Sequence, residues 1–456
     1  MTSCTNQNRD YSFNKSISQK VLENYLSRSI EYAGLCCEGS STPVPYFDDC
    51  LRLISNTGAK FIGRAAFTWD APLDDEKHYK TAKEGATKIH KIDPEIILQS
   101  CVFETTYSCK TPESKKRTFS LGGVENIPIP KWVFEEFELP QENRCFSYEK
   151  MIFKDGKWND LWAPGASVPD VTRLETKLWF YYRARCYIDA GYESIHCGQV
   201  CLTGANDIDL NCWIEIIERL RSYGKKHARR NYILFDAHIA LENNIHFVKI
   251  GENLIWDFLS FPLRMAETDK PLNAELKIGY LDSIYGRAPG GIHPSGWKCE
   301  AIPQILEFDN GQNGLAINNQ YLTWGADEAN WYANLKEQKR NEFLSYAWTW
   351  IWNNAPNAHL EMPGIRPVEV PAAKPRIYTY IANTRSKNCP EGFNQEETIK
   401  EIWNDLRYKD CSKKNIKSLD DDLFSNENVV LKRKYSLDDL YDYYRLYGDF
   451  NLPEEI

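Results

Sequence analysis

The chain has 456 residues, 42% hydrophobic and 26% charged, an ordinary globular composition that argues against intrinsic disorder. Its formal net charge of −9 argues against a general binder of phosphate backbones, which would carry a basic patch. The 14 cysteines are scattered and form no CxxC pair, so neither a structural zinc site nor a disulfide framework is expected, and free thiols in a reducing compartment are.

The start, MTSCTNQNRDYSFNKS, is polar and lacks a signal-peptide core. A cytoplasmic protein is therefore expected, or a secreted one if the sequence has been shortened at its N-terminus. No apolar run reaches the length of a membrane span. Residues 1–50 read as a helical extension. Lys60–Phe67 (KFIGRAAF) is the first strand, and the polar stretch from Asp74 to Ile92 is a helix. Glu95–Phe103 (EIILQSCVF) is the second strand, introduced by the turn pair Asp93-Pro94. Residues 105–169 are rich in Pro, Gly and charge and read as a long insertion.

Val171–Ala190 fits a helix, with Asp170 as its N-cap and Gly191 as its stop. Tyr192–Val200 is a third strand, Asp209–Arg230 a helix, and Tyr232–Phe235 a fourth strand. Leu254–Leu259 (LIWDFL) is a fifth and Gln304–Phe308 a sixth. Glu328–Trp352 is a helix, Ala358–Glu361 a seventh strand, Arg376–Ile381 an eighth, and Gln395–Arg407 a helix. Alternating helices and continuously apolar strands imply a parallel sheet. The count predicts an α/β fold, a (β/α)8 barrel over residues 51–410 with 105–169 inserted; the alternative is an open doubly wound sheet. Residues 411–456 read as a helical tail packed on the barrel.

In such a barrel the C-terminal strand ends converge on one face. Those ends carry Trp69, Glu104, His196, Gln199, Asp236, His238, Asp257, Glu307, Asp309 and Glu361. An unpaired carboxylate in an apolar interior costs several kcal/mol, so Asp236, ending the run NYILFDAH, must emerge among polar partners. Each position also has an ordinary structural reading. Asp236 can cap the next segment, Glu307 can pair with an arginine such as Arg64, His196 can be a satisfied core histidine, and Asp257 can face a helix. The sequence lacks GxSxG, P-loop, GxGxxG and HExxH motifs. What remains is a set of carboxyl groups, and a facing pair of them suits glycosidic bond cleavage. The 14 Trp and 26 Tyr supply flat faces for stacking on sugars.

These strand-end carboxylates, the alternating pattern and the Trp-bearing loops (Trp158, Trp162, Trp297, Trp324) resemble the broad superfamily of (β/α)8 glycoside hydrolases over roughly residues 50 to 410. The resemblance implies an acid/base at the end of the fourth strand and a nucleophile at the end of the seventh. Those roles would fall on Asp236 and Glu361. The Asn-Glu pair of the large retaining clan is absent, and Phe235-Asp236 stands there instead. The expected catalytic set is Asp236, Glu307 and Glu361. The expected substrate contacts are Trp69, Glu104, His196, Gln199, His238, Asp257, Asp309, Trp297 and Trp324. No metal or cofactor is expected. A carbohydrate is the expected partner, with no nucleic acid and no membrane. Two other readings stay open: a metal-dependent barrel hydrolase or isomerase using Asp236, His238, Asp257 and His196, and a sugar-binding barrel without catalysis.

Overall fold

The computed structural model describes residues 9–37, 46–69, 71–112, 114–116, 122–241, 244–268, 273–309, 316–317, 320–321, 327–370, 377–405 and 407. Its centre is a curled mixed sheet of ten strands. In chain order these are β1 Ser29–Tyr32, β2 Phe61–Ala66, β3 Ile97–Cys101, β4 Ser194–His196, β5 Leu234–Ala237, β6 Phe258–Pro262, β7 Gln304–Glu307, β8 Ala358–Leu360, β9 Met362–Val370 and β10 Ile377–Ile381. They lie in the order β8-β7-β6-β5-β4-β3-β2-β1-β9-β10. Every pairing is parallel except β9 with β10. β8 pairs with β7 and β9 with β1, and Glu361 alone separates β8 from β9.

The helices include α1 Gln19–Leu26, α2 Phe47–Thr57, α3 Asp75–Ile92, α4 Leu174–Asp189, α5 Asn211–His227, α6 Glu328–Ala333, α7 Glu337–Asn354 and α8 Glu396–Asn404. Local chemistry sets several of their ends. The Ser18 hydroxyl accepts from the Val21 amide at the start of α1, and the Asp74 carboxylate accepts from the Lys77 amide at the start of α3. Asp75 and Glu76 at the N-terminal turn of α3, with His90 and Lys91 in its last turn, suit the helix dipole.

The period of two along each strand divides the interior. Phe61, Ile97, Leu234, Phe258 and Ile305 form one apolar cluster with Val21, Leu22, Tyr25 and Leu26 of α1, which packs beneath the N-terminal ends of the strands. The alternate residues Ile62, Leu98, Ile195, Phe235, Leu259 and Leu306 belong to the larger cluster shared with the helices. One step further along the inward face the residues turn polar: Gln99, Asp236, Ser260 and Glu307.

Several expectations need correction. The first fifty residues contain β1, which sits inside the sheet between β2 and β9, so they are more than an extension. The fifth strand is Phe258–Pro262; Leu254 instead lies in a two-residue strand of a separate four-stranded sheet. Arg376–Ile381 is no member of the parallel set, because β10 runs antiparallel beside β9. The expected helix Glu328–Trp352 is broken between α6 and α7, where the Arg340 guanidinium donates to the carbonyls of Ala333 and Leu335. Asp170 is not the cap of α4, which starts at Leu174; its carboxylate accepts from Thr172 and Asn206. The expected tail 411–456 lies outside the described residues.

Candidate active site

The polar layer at the C-terminal strand ends contains two linked groups. In the first, Glu307 at the end of β7 accepts from Arg64 at 2.7 Å, from Arg366 at 2.8 Å and from His238 Nε2. The same two guanidinium groups reach Asp309, at 3.4 Å from Arg64 and 3.2 Å from Arg366. They also hold Glu31 of β1, whose Oε2 lies 2.7 Å from Arg366 Nε and whose Oε1 lies 3.6 Å from Arg64 Nε. Glu361, between β8 and β9, accepts from the Ser29 hydroxyl at 2.6 Å. One carboxylate oxygen each from Glu31, Glu307 and Glu361 lie within 4.8 Å of one another.

Backbone geometry sets this group up. The β2–β3 register shifts between Ile62 and Ala66, and Arg64 in that bulge has φ +49°. A left-handed conformation at a side chain of this size costs on the order of 1–3 kcal/mol, and here it accompanies the guanidinium's place among three carboxylates. The strained Arg64 amide is not orphaned, because it donates to Gln99 Oε1 at 2.9 Å. Gly63 leaves room for Glu361: a Cβ there would stand 2.2 Å from its Oε1.

The carboxyl groups do not share one protonation state. Burial pushes the Glu307 carboxyl up, but Arg64, His238 and Arg366 outweigh it and hold it well below the usual range. Asp309 is likewise held low by Arg64 and Arg366 against burial and the charge of Glu307. Burial raises Glu31 well above its ordinary value, its guanidinium neighbours notwithstanding. Burial, then the Glu307 charge, raises Glu361 to about 7. Near neutral pH the cluster thus pairs an ionised Glu307 with a Glu361 that keeps its proton about half of the time.

This has a consequence for stability. Glu361 carries its proton more firmly in the folded chain than in the unfolded one, so its contribution is complete below its ordinary value of 4.5 and is lost as pH rises through about 7. Denaturant titrations of the wild type and Glu361→Gln across this range are expected to show the wild type losing stability relative to the variant. The difference should level off above pH 7. A difference that stays flat across the range would contradict the assignment.

The second group centres on Asp236, fully buried at the end of β5. Its Oδ1 accepts from Gln99 Nε2 at 2.8 Å, and its Oδ2 accepts from His196 Nδ1 at 2.7 Å and from the Ser260 hydroxyl at 2.6 Å. Burial holds the His196 imidazole below its usual range despite the pull of Asp236. The His196 and His238 rings meet edge to face at 4.8 Å and join the two groups. An aromatic wall continues from there: Phe103 lies 5.7 Å from His196, Trp69 lies 5.1 Å from Phe103, and Trp162 lies 5.2 Å from Trp69. Trp162 comes from the insertion 105–169 and donates through Nε1 to the Glu104 carbonyl, which places that part of the insertion over the strand ends. Trp158 packs instead on Phe153. The side chain of Glu104 accepts from the backbone and the side chain of Gln199.

The structure therefore brings together Asp236, Glu307, Glu361, Asp309, His196, His238, Trp69, Glu104 and Gln199. It does not bring Asp257 or Trp297 to them. Asp257 precedes β6 and accepts from Tyr232, Arg221 of α5 and the Phe235 amide, so it fastens a helix to the outside of the sheet. Trp297 stacks on His293 at 3.9 Å and donates to the Ile17 carbonyl, which places it beside α1 at the opposite end of the strands. Trp324 lies outside the described residues. With Asp257 removed, the mixed Asp/His metal set is not assembled. Glu31, Glu307 and Glu361 form a carboxylate cluster that metals also use, but Arg64 and Arg366 already supply its positive charge. Glu31 and Arg366 were not singled out from sequence, and Arg64 only as a possible partner of Glu307.

No family model matches the sequence, and no curated protein matches it. Solved structures that it resembles include α-amylases and an α-galactosidase. One is an α-amylase from Geobacillus thermoleovorans complexed with acarbose, at 9% identity and TM-score 0.41, covering 83% of this chain and 78% of that one. Another is Ega3 from Aspergillus fumigatus in complex with galactosamine, at 10% identity and TM-score 0.26, covering 52% and 67%. A third is an α-galactosidase from Thermus thermophilus, at 12% identity and TM-score 0.26, covering 46% and 37%. Among the described residues, no helix is long and apolar enough to cross a membrane.

Proposed function

We propose that this chain is a glycoside hydrolase built on a closed (β/α)8 barrel, in which Glu361 is the acid and Glu307 the partner carboxylate. Closure is supported by the run 358–370, whose first part pairs with β7 and whose later part pairs with β1. The observation that carries the function is the opposed protonation of two neighbouring carboxyl groups, Glu307 held ionised and Glu361 raised to about 7. A glycosidase needs such a pair, one group to protonate the leaving oxygen and one charged group to meet the positive anomeric centre. One oxygen of each lies within 4.8 Å of the other, so the two groups are near enough to act on one bond. In that scheme Glu361 gives its proton to the glycosidic oxygen, Glu307 attacks the anomeric carbon, and Glu361 then takes a proton from the water that releases the sugar.

Asp236 changes role. Gln99, His196 and Ser260 all donate to its carboxylate, so it acts as a positioning residue. Asp309, His238 and Arg64 border the pair, and Trp69 with Trp162 offers an aromatic face to a sugar ring. A panel of 4-nitrophenyl glycosides incubated with the wild type and with Glu307→Gln tests the reading. Release of 4-nitrophenol from at least one glycoside, lost in the variant, is the expected result. Silence across α- and β-linked hexosides, pentosides and uronides would overturn it.

A further inference from the structure

Asp309 reaches solvent where the carboxylates beside it do not. Its side chain is 21% exposed, against 1% for Glu307 and 2% for Glu31. It follows Glu307 by two residues, and the intervening Phe308 packs on Tyr332 of α6 at 4.5 Å. Both carboxylates therefore lie on the same side of the chain, with Asp309 one step further out. Its two guanidinium contacts fall on one oxygen: Oδ1 lies 3.4 Å from Arg64 Nη1 and 3.2 Å from Arg366 Nη2. Oδ2 accepts from nothing among the described residues. The same Arg366 Nη2 donates to Glu307 Oε2 at 2.8 Å, so a single nitrogen separates the two carboxylates. Two fixed donors on Oδ1 orient the group, and its twin oxygen stays open as an acceptor. Against burial and the Glu307 charge, the two arginines hold the Asp309 carboxyl below its ordinary value, which keeps it ionised near neutral pH.

We infer that Asp309 Oδ2 accepts from a hydroxyl group of the sugar whose anomeric carbon Glu307 attacks, and that this contact restricts the site to sugars without an acidic group. The inference deepens the glycoside hydrolase reading and rests on it. The acceptor stands beside the attacking carboxylate, so the ring that meets Glu307 also meets Asp309. A hydrogen bond to an ionised acceptor is stronger than one between neutral groups. A ring without the matching hydroxyl strips water from the charged oxygen and gives it no donor in return, so it is rejected. A uronic acid brings a second negative charge against the first.

The test couples enzyme and substrate changes. Asp309→Asn keeps an oxygen for the two arginines and puts a donor where the open acceptor was. The 4-nitrophenyl glycoside that the wild type cleaves is compared with its monodeoxy derivatives in both proteins. One deoxy position is expected to lower kcat/KM of the wild type by roughly 10- to 100-fold, while the variant, already slow, loses nothing more at that position. Equal losses in both proteins at every position would overturn the inference and leave the hydrolase reading intact. A second measurement reads binding alone. The 13C resonance of the Asp309 carboxyl, assigned by its absence from Asp309→Asn, is followed while glucose, galactose, mannose, xylose and glucuronate are added in turn. A shift with a neutral sugar and none with glucuronate supports the contact. A response to glucuronate as large as that to any neutral sugar overturns it, as does a neutral sugar that moves the His238 signals and leaves Asp309 in place. If no sugar moves any site signal and the wild type cleaves no glycoside, the contact and the hydrolase reading fall together.

Discussion

Glu307→Gln should destabilise the chain by about 3 kcal/mol at neutral pH, at the low end of the cost of breaking a buried ion pair. The carboxylate is 1% exposed and serves Arg64, Arg366 and His238 at once. Neutralising it leaves two buried guanidinium groups short of charge. Two neighbours limit the damage, because Asp309 and Glu31 already lie against both arginines. Without them the larger end of the range would apply. The sign with pH follows from the depressed value. Glu307 contributes stability above its ordinary value of 4.5, and this is lost as pH falls. Denaturant midpoints of the two proteins should therefore converge on acidification. A variant as stable as the wild type at pH 7 would mean that the arginines are satisfied without Glu307.

Asp236→Asn should lower turnover by about 10- to 100-fold, the loss that follows removal of the group orienting a metal-bound imidazole. The amide nitrogen of Asn cannot accept; with Oδ1 kept for Gln99, it takes the place of Oδ2 and faces the donors of His196 and Ser260. The cheapest repair is for His196 to move its proton from Nδ1 to Nε2, which turns the acceptor into a donor. Circular dichroism should show the fold retained, and the 15N spectrum should show the exchanged tautomer. Full activity with the tautomer exchanged would remove His196 from the mechanism.

Much of the scaffold was legible because apolar runs of parallel strands stand out. β2, β3, β4, β5 and β7 are found where the apolar runs fall, parallel and in the expected order. Other strands were hidden for physical reasons. β1, Ser29–Tyr32, is four residues long and carries an inward glutamate, so it has no strand-like signature. β9 contains Pro363 and Pro367, which argue against a strand, yet it bears Arg366. The run LIWDFL looked like a strand because Leu254 and Trp256 are core residues, although Trp256 packs outside the sheet and donates to the Phe247 carbonyl. Glu307, Glu361, His196 and His238 were visible because polar groups at the ends of apolar runs need an explanation. Nothing in the composition of the loop bearing Trp297 says at which end of the strands it lies. The bulge that turns Arg64 inward left no trace in the sequence.

The most direct test of the central claim is the dependence of Glu361→Gln on the leaving group. Hydrolysis of a methyl glycoside and of a 2,4-dinitrophenyl glycoside of the same sugar would be compared between wild type and variant. An alkoxide is a poor leaving group and needs the proton that Glu361 supplies; dinitrophenolate leaves without it. The account predicts a loss on the order of 10²- to 10⁴-fold on the methyl glycoside and a far smaller one on the dinitrophenyl glycoside. Equal losses on both substrates, or none on either, would contradict the assignment of Glu361 as the acid.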